Sequence, residues 1–229
     1  MLRGACYDGE WQPPYAPFAE AIIEYAHHTE PAEFAAALGK RASIIARIAP
    51  ALHESVEGIS EPAQLDKEDE RFRLFDAVAQ FFIAISQRSP LLLLLDDLHW
   101  ADRGTVAMLS HVAHFVPANP FLLLGAYRDA EVDRKHPLTT ALAAMSRTRN
   151  FESLTLEGLK RDDVADLLAV IGDQDAPDAL VKALGEATDG NPLFIRELLL
   201  HLVEKGEILR PGRGWASRLN VEELGIPWS

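Results

Sequence analysis

Five consecutive leucines, Leu91 to Leu95, entered from Ser89-Pro90, break off abruptly at the paired carboxylates Asp96 and Asp97. A short, wholly apolar run bounded by turn residues suits a strand buried on both faces, as in a parallel sheet flanked by helices. Leucine is not β-branched, so periodicity alone also admits a buried helix segment. The break decides between them. A helix has no reason to set two carboxylates beside five core leucines, whereas a strand delivers them to the carboxyl edge of its sheet, where open α/β sheets bind ligands. The plain alternative is a core strand followed by an Asp-capped turn.

Four apolar residues and an acid at a strand tip describe a Walker B element, whose first Asp holds Mg²⁺ on a nucleotide phosphate. The run continues Leu98-His99-Trp100-Ala101-Asp102. The whole stretch resembles the DDLHWAD form of AAA-like and STAND-type signalling ATPases, among them the large LuxR-type bacterial regulators. In those families the next helix starts at the closing Asp, and Asp102 is a good N-cap for it. The resemblance covers almost the whole chain. It implies an α/β core over 1–157 with a P-loop NTPase-like parallel sheet, incomplete because the central P-loop strand is missing. A helical lid over 158–205 and the start of a winged-helix domain over 206–229 would follow.

With 229 residues, 48% hydrophobic and 25% charged, the chain has enough apolar content for one sizeable core or two modest ones. A net charge of −13 argues against a broad nucleic-acid surface, because phosphate binding needs clustered Lys and Arg. The single cysteine, Cys6, rules out an internal disulfide. No apolar run is long enough to span a bilayer, and the first residues lack the apolar core of a signal peptide. A soluble cytoplasmic protein is the expectation.

Met1 to Tyr7 reads as a strand, followed by a Pro- and aromatic-rich loop and a helix over Phe18 to His28. Short helices interrupted by Pro31 and Pro50 come next. A long amphipathic helix then begins at Glu68, with Phe72, Phe75, Val78, Ala79, Phe82 and Ile83 forming its apolar stripe. Thr105 to Phe115 reads as a helix, Phe121 to Tyr127 as a second buried strand, Pro137 to Met145 as a helix and Phe151 to Leu156 as an alternating strand. From Gly158 only helical patterns occur: Lys160 to Val170, Pro177 to Thr188 and Pro192 to Glu204. Residues Glu207 to Asn220, with Pro211-Gly212-Arg213-Gly214, give a hairpin signal. His111 and His114 share a helix face, but no acid completes a ligand set nearby.

A P-loop needs G-x-x-x-x-G-K-[ST], whose glycine amides cradle phosphates while the Lys neutralises them. The best approach to it, Gly39-Lys40, has Phe34 in place of the first Gly and Arg41 in place of Ser/Thr. The chain therefore carries the acidic half of a nucleotide site without the phosphate-gripping half, and the resemblance places Met1 after the P-loop. It further implies Mg-ATP as the ligand: Asp96 on the metal, Asp97 polarising the attacking water, Arg128 sensing the γ-phosphate, and Gly190, Asn191 and Pro192 near the base. The ordinary readings remain beside these. Arg128 is equally an exposed loop arginine, and Gly190 and Pro192 suit a helix cap and the first turn of the next helix. The function expected is an ATP-binding or hydrolysing regulatory switch, present as a fragment and partnered by other domains of a longer protein. The alternative is a non-catalytic interaction module or truncated pseudo-ATPase that binds no nucleotide.

Overall fold

In the computed structural model, residues 1–9, 13–55, 67–148, 150–204, 209–210 and 214–215 are described. The leucine run is a strand, Leu91–Asp96. It lies in the middle of a three-stranded sheet, between Leu2–Ala5 and Phe121–Gly125, and is parallel to both. In chain order these strands are β1, β2 and β3. Register is fixed by Leu2 opposite Leu93 on one side and Leu91 opposite Phe121 on the other. The result is an α/β fold.

The helices of this unit are α1 (Ala16–His27), α2 (Pro31–Leu38), α3 (Ala42–Ile45), α4 (Leu52–Ser55), α5 (Lys67–Ser86), α6 (Arg103–Phe115) and α7 (Pro137–Met145). Pro31 does not interrupt a helix but opens α2, where its missing N–H costs nothing. Leu93 and Leu95 are fully buried with Phe18 and Ile22 of α1, Phe81 and Phe82 of α5, and Met108 and Val112 of α6. Phe81 packs edge-on against Tyr25, Phe34 and Phe82, while Phe82 meets Phe121 of β3. The apolar stripe of α5 is as expected at Phe75, Val78, Ala79 and Phe82 but wider at one side and shorter at its start. Phe81 lies in the core and Phe72 is 64% exposed, capping His111 from outside. Burial among these rings pushes the His111 imidazole below its usual pKa.

Both edges of the sheet raise the same problem, a row of unpaired peptide groups, and only one is covered. At β1 the outward N–H groups of Arg3 and Ala5 donate to the carboxylates of Glu24 (2.5 Å) and Glu20 (2.9 Å), one turn apart on α1. At β3, Ala126 exchanges bonds with Leu95 and Leu98 on the β2 side. By strand alternation the peptide groups of Leu123 and Gly125 face away from β2. No strand among the described residues pairs there. Leu122 and Leu124, at 60% and 47% exposure, show that β3 is not the buried strand its composition suggested.

Phe151 to Leu156 is not a strand. Its period-two pattern is correct for one, yet a strand exists only through a neighbour, and Leu156 is 93% exposed. The chain divides into two compact units, Met1–Glu152 and Ser153–Ser229. The second consists of α8 (Arg161–Gly172), α9 (Asp178–Thr188) and α10 (Pro192–Glu204) around Leu168, Leu180, Leu184, Ile195 and Leu202. A two-stranded antiparallel pair, β4 (Leu209–Arg210) with β5 (Gly214–Trp215), realises the hairpin, and Trp215 is buried against this small core. The winged-helix continuation, residues 216–229, lies outside the described residues. Among the described residues no helix is long and apolar enough to cross a membrane.

Two outcomes follow for the first unit. A Cβ on Gly4 would run into the backbone carbonyl of Pro17 at the start of α1, which a side-chain shift cannot relieve. Gly4→Ala should therefore lower stability by about 2–3 kcal/mol, the upper range for overpacking, read as a drop in urea midpoint. Placing charges at Leu122 and Leu124 should reduce concentration-dependent light scattering, because open apolar edges drive self-association.

Candidate functional site

The carboxyl ends of β2 and β3 meet at one edge, and the turn leaving β2 is shaped by its acids. Asp97 adopts a left-handed conformation (φ 53°), which Asp tolerates better than most residues. Its carbonyl accepts from Trp100 at 2.9 Å, closing a 3₁₀ turn over Leu98–Trp100. Leu98 N–H donates to Ala126 beyond β3 at 2.9 Å, so the two strand exits are stitched together. Asp102 then caps α6 as the sequence suggests, accepting from Gly104 (2.5 Å) and Thr105 (3.0 Å). The Thr105 hydroxyl donates to Asp102 and accepts from Tyr15 N–H, tying the loop before α1 to the same cap.

Asp96 is the last residue of β2, and both its oxygens are engaged. Oδ1 accepts from the Asp97 amide at 3.0 Å, and Oδ2 accepts from Arg3 Nη2 at 2.7 Å. Arg3 follows Leu2 on β1 and shares the sheet face of Asp96. This residue was missed from the sequence. The usable signal was strand alternation plus the β1–β2 register, and the register exists only in the folded chain.

Arg128 lies three residues beyond β3, in the loop leaving the parallel strand next to β2, at the same edge as Asp96. It does not reach the carboxylates of β2. Its guanidinium pairs with Glu131 at 2.9 Å and lies 5.7 Å over the Trp100 ring. Its backbone N–H donates to Nδ1 of His99 at 3.4 Å. His99 has a fully buried side chain, against the Trp100 ring at 4.5 Å. Its carbonyl accepts from Nε2 of His136, whose Nδ1 accepts from Leu138 N–H at the start of α7.

Gly190, Asn191 and Pro192 belong to the second unit. Asp189 caps α9 in the left-handed region, Gly190 follows at φ 70°, and Pro192 opens α10. The Gly190 carbonyl accepts from Leu159 N–H at 2.7 Å, and Asn191 Oδ1 accepts from Leu193 N–H at 3.0 Å. These bonds describe a tight interhelical turn. Among the described residues, no group of three or more His, Cys, Asp or Glu is placed to hold a metal ion by itself.

A parallel α/β sheet with an acidic turn and an arginine loop at one carboxyl edge defines the class: open α/β domains that take their ligands outside the strand ends. A family model described as the AAA ATPase domain matches residues 1–124, more than half of the 229, and the chain belongs to that family. Its members generally bind ATP and Mg²⁺. Neither the curated proteins nor the solved structures contain a match to this chain. Asp96 and Asp97 fall within the matched residues, whereas Arg128 and Gly190 to Pro192 lie beyond them.

The Arg3–Asp96 pair is half exposed on the Arg side, so its coupling should be modest. A double-mutant cycle with Arg3→Ala and Asp96→Asn is expected to give less than about 1 kcal/mol at low salt, shrinking as salt rises. Zero coupling at low salt would show that the two side chains do not pair in solution.

Proposed function

We propose that this chain is the ATPase-type regulatory module of a cytoplasmic signal-transduction or transcription-regulating protein, of the STAND and LuxR-type kind. Mg-ATP is its ligand, and other domains of a longer protein are its partners. The observation that carries the reading is the meeting of Asp96, Asp97 and the Arg128 loop at one carboxyl edge of adjacent parallel strands. The acidic balance of the chain speaks against direct nucleic-acid contact.

The donor set suits Mg²⁺ chemically, since this ion takes one or two protein carboxylates beside substrate phosphates. Asp96 would hold it, once Arg3 releases Oδ2. When bound, the ion supplies charge neutralisation across the phosphates. Asp97 is the group to polarise a water, and its carboxylate is partly open to solvent. Arg128, exposed and ion-paired only with Glu131 among the described residues, would be free to turn to a γ-phosphate. The family resemblance would further assign base contacts to Gly190, Asn191 and Pro192 and the lid role to residues 158–205.

A second reading has its own support. The 229 residues contain no G-x-x-x-x-G-K-[ST], and Asp96 already has a resident cation in Arg3. Both features suit an interaction module that keeps the fold without the nucleotide.

The missing amides and Lys would supply charge-assisted bonds of roughly 1.5–3 kcal/mol each. Losing three costs about three or more decades of affinity at ~1.4 kcal/mol per decade. Calorimetric titration with Mg-ATP should therefore show binding far weaker than micromolar, and Asp96→Asn should abolish it. Micromolar binding would reveal a phosphate site built from other residues. No heat at millimolar nucleotide would favour the interaction module.

A further inference from the structure

The buried imidazole of His99 is the feature that the proposed mechanism leaves unused. Its Nδ1 accepts the Arg128 N–H, so in the neutral ring the proton sits on Nε2. That Nε2 is buried and has no hydrogen-bond partner. A polar group so placed is rare in a folded protein and calls for a partner close by. Two carboxylates lie just beyond reach, Asp97 Oδ1 at 3.9 Å and Glu131 Oε2 at 3.6 Å. Glu131 is the nearer through Oε2, but its carboxylate is already neutralised by Arg128 through Oε1. Asp97 has no other donor or cation on its carboxylate among the described residues. The orphan donor thus faces a carboxylate that no cation among the described residues neutralises, and rotation of the partly exposed Asp97 side chain would close the gap.

We infer that His99 is a positioning residue for Asp97: its Nε2–H fixes the Asp97 carboxylate, while its Nδ1 holds the Arg128 backbone. One ring then joins the tip of β2 to the loop after β3, so Asp97 and Arg128 keep a common geometry. His136 supports the arrangement from behind by donating to the His99 carbonyl at 2.9 Å. The role assigned to Asp97 rests on the function proposed above, but the contact itself does not.

Long-range ¹H–¹⁵N spectra of the imidazole rings in the nucleotide-free chain test the inference, with Asp97→Asn and Glu131→Gln as probes. Both changes are isosteric and solvent-facing, and a dispersed amide spectrum shows that each variant folds. His99 should display the Nε2–H tautomer, and its Hε2 and Nε2 signals should shift in Asp97→Asn. A response to Asp97→Asn, alone or together with Glu131→Gln, supports the contact. A response to Glu131→Gln only, a response to neither, or an Nδ1–H tautomer overturns it. His99→Gln keeps a donor near the Nε2 position and His99→Asn keeps only the Nδ1 acceptor. The Asp97 carboxylate ¹³C signal should hold its wild-type position in the first and move in the second; the reverse pattern also overturns the inference. Mg-ATP calorimetry on the same samples reports on the nucleotide reading alone, so the two failures can be told apart.

Discussion

Parallel pairing of β2 with a strand on each side is the constraint from which the first unit follows. It sets Leu93 and Leu95 against α1, α5 and α6 with no solvent exposure. Each such leucine contributes about 1.5–3 kcal/mol relative to an exposed one. The same alternation sends Leu92, Leu94 and Asp96 to the other face, together with Arg3 and Ala5 of β1. A slip of one residue would turn Leu92, Leu94 and Asp96 to the core in place of Leu91, Leu93 and Leu95, so the cost of burying a carboxylate fixes the direction of the acid.

At the carboxyl edge the problem becomes electrostatic. Asp96 and Asp97 are adjacent like charges in a chain of net charge −13. Arg3 neutralises the first, Arg128 is held by Glu131, and the buried imidazole of His99 stands between Asp97 and Glu131. The Arg3–Asp96 and Arg128–Glu131 pairs are exposed enough to exchange partners at modest cost. In the proposed function such an edge would take an anionic ligand by rearranging side chains, while the Leu98–Ala126 bond holds the two strand exits together.

Legibility differed by the range of the interactions involved. The leucine strand, the Asp102 cap, the start of α10 at Pro192 and the order of helices and strands through α7 were readable, because local patterning and capping chemistry specify them. The acidic turn was readable too, since two carboxylates after a core run have few structural explanations. Phe151 to Leu156 shows the limit. Its alternation is local and correct, but strand formation needs a neighbour that no local pattern supplies.

The sequence by itself determined the order of most elements and that Asp96 and Asp97 stand at a strand tip. Only the tertiary structure decided their partners. Arg3 and Asp96 are ninety-three residues apart and meet through the β1–β2 register. His99 and Arg128 meet through the β2–β3 register, with Leu98 bonded across the exits. Register is chosen by the summed packing of whole strands, so a contact that depends on it cannot be read from either segment alone.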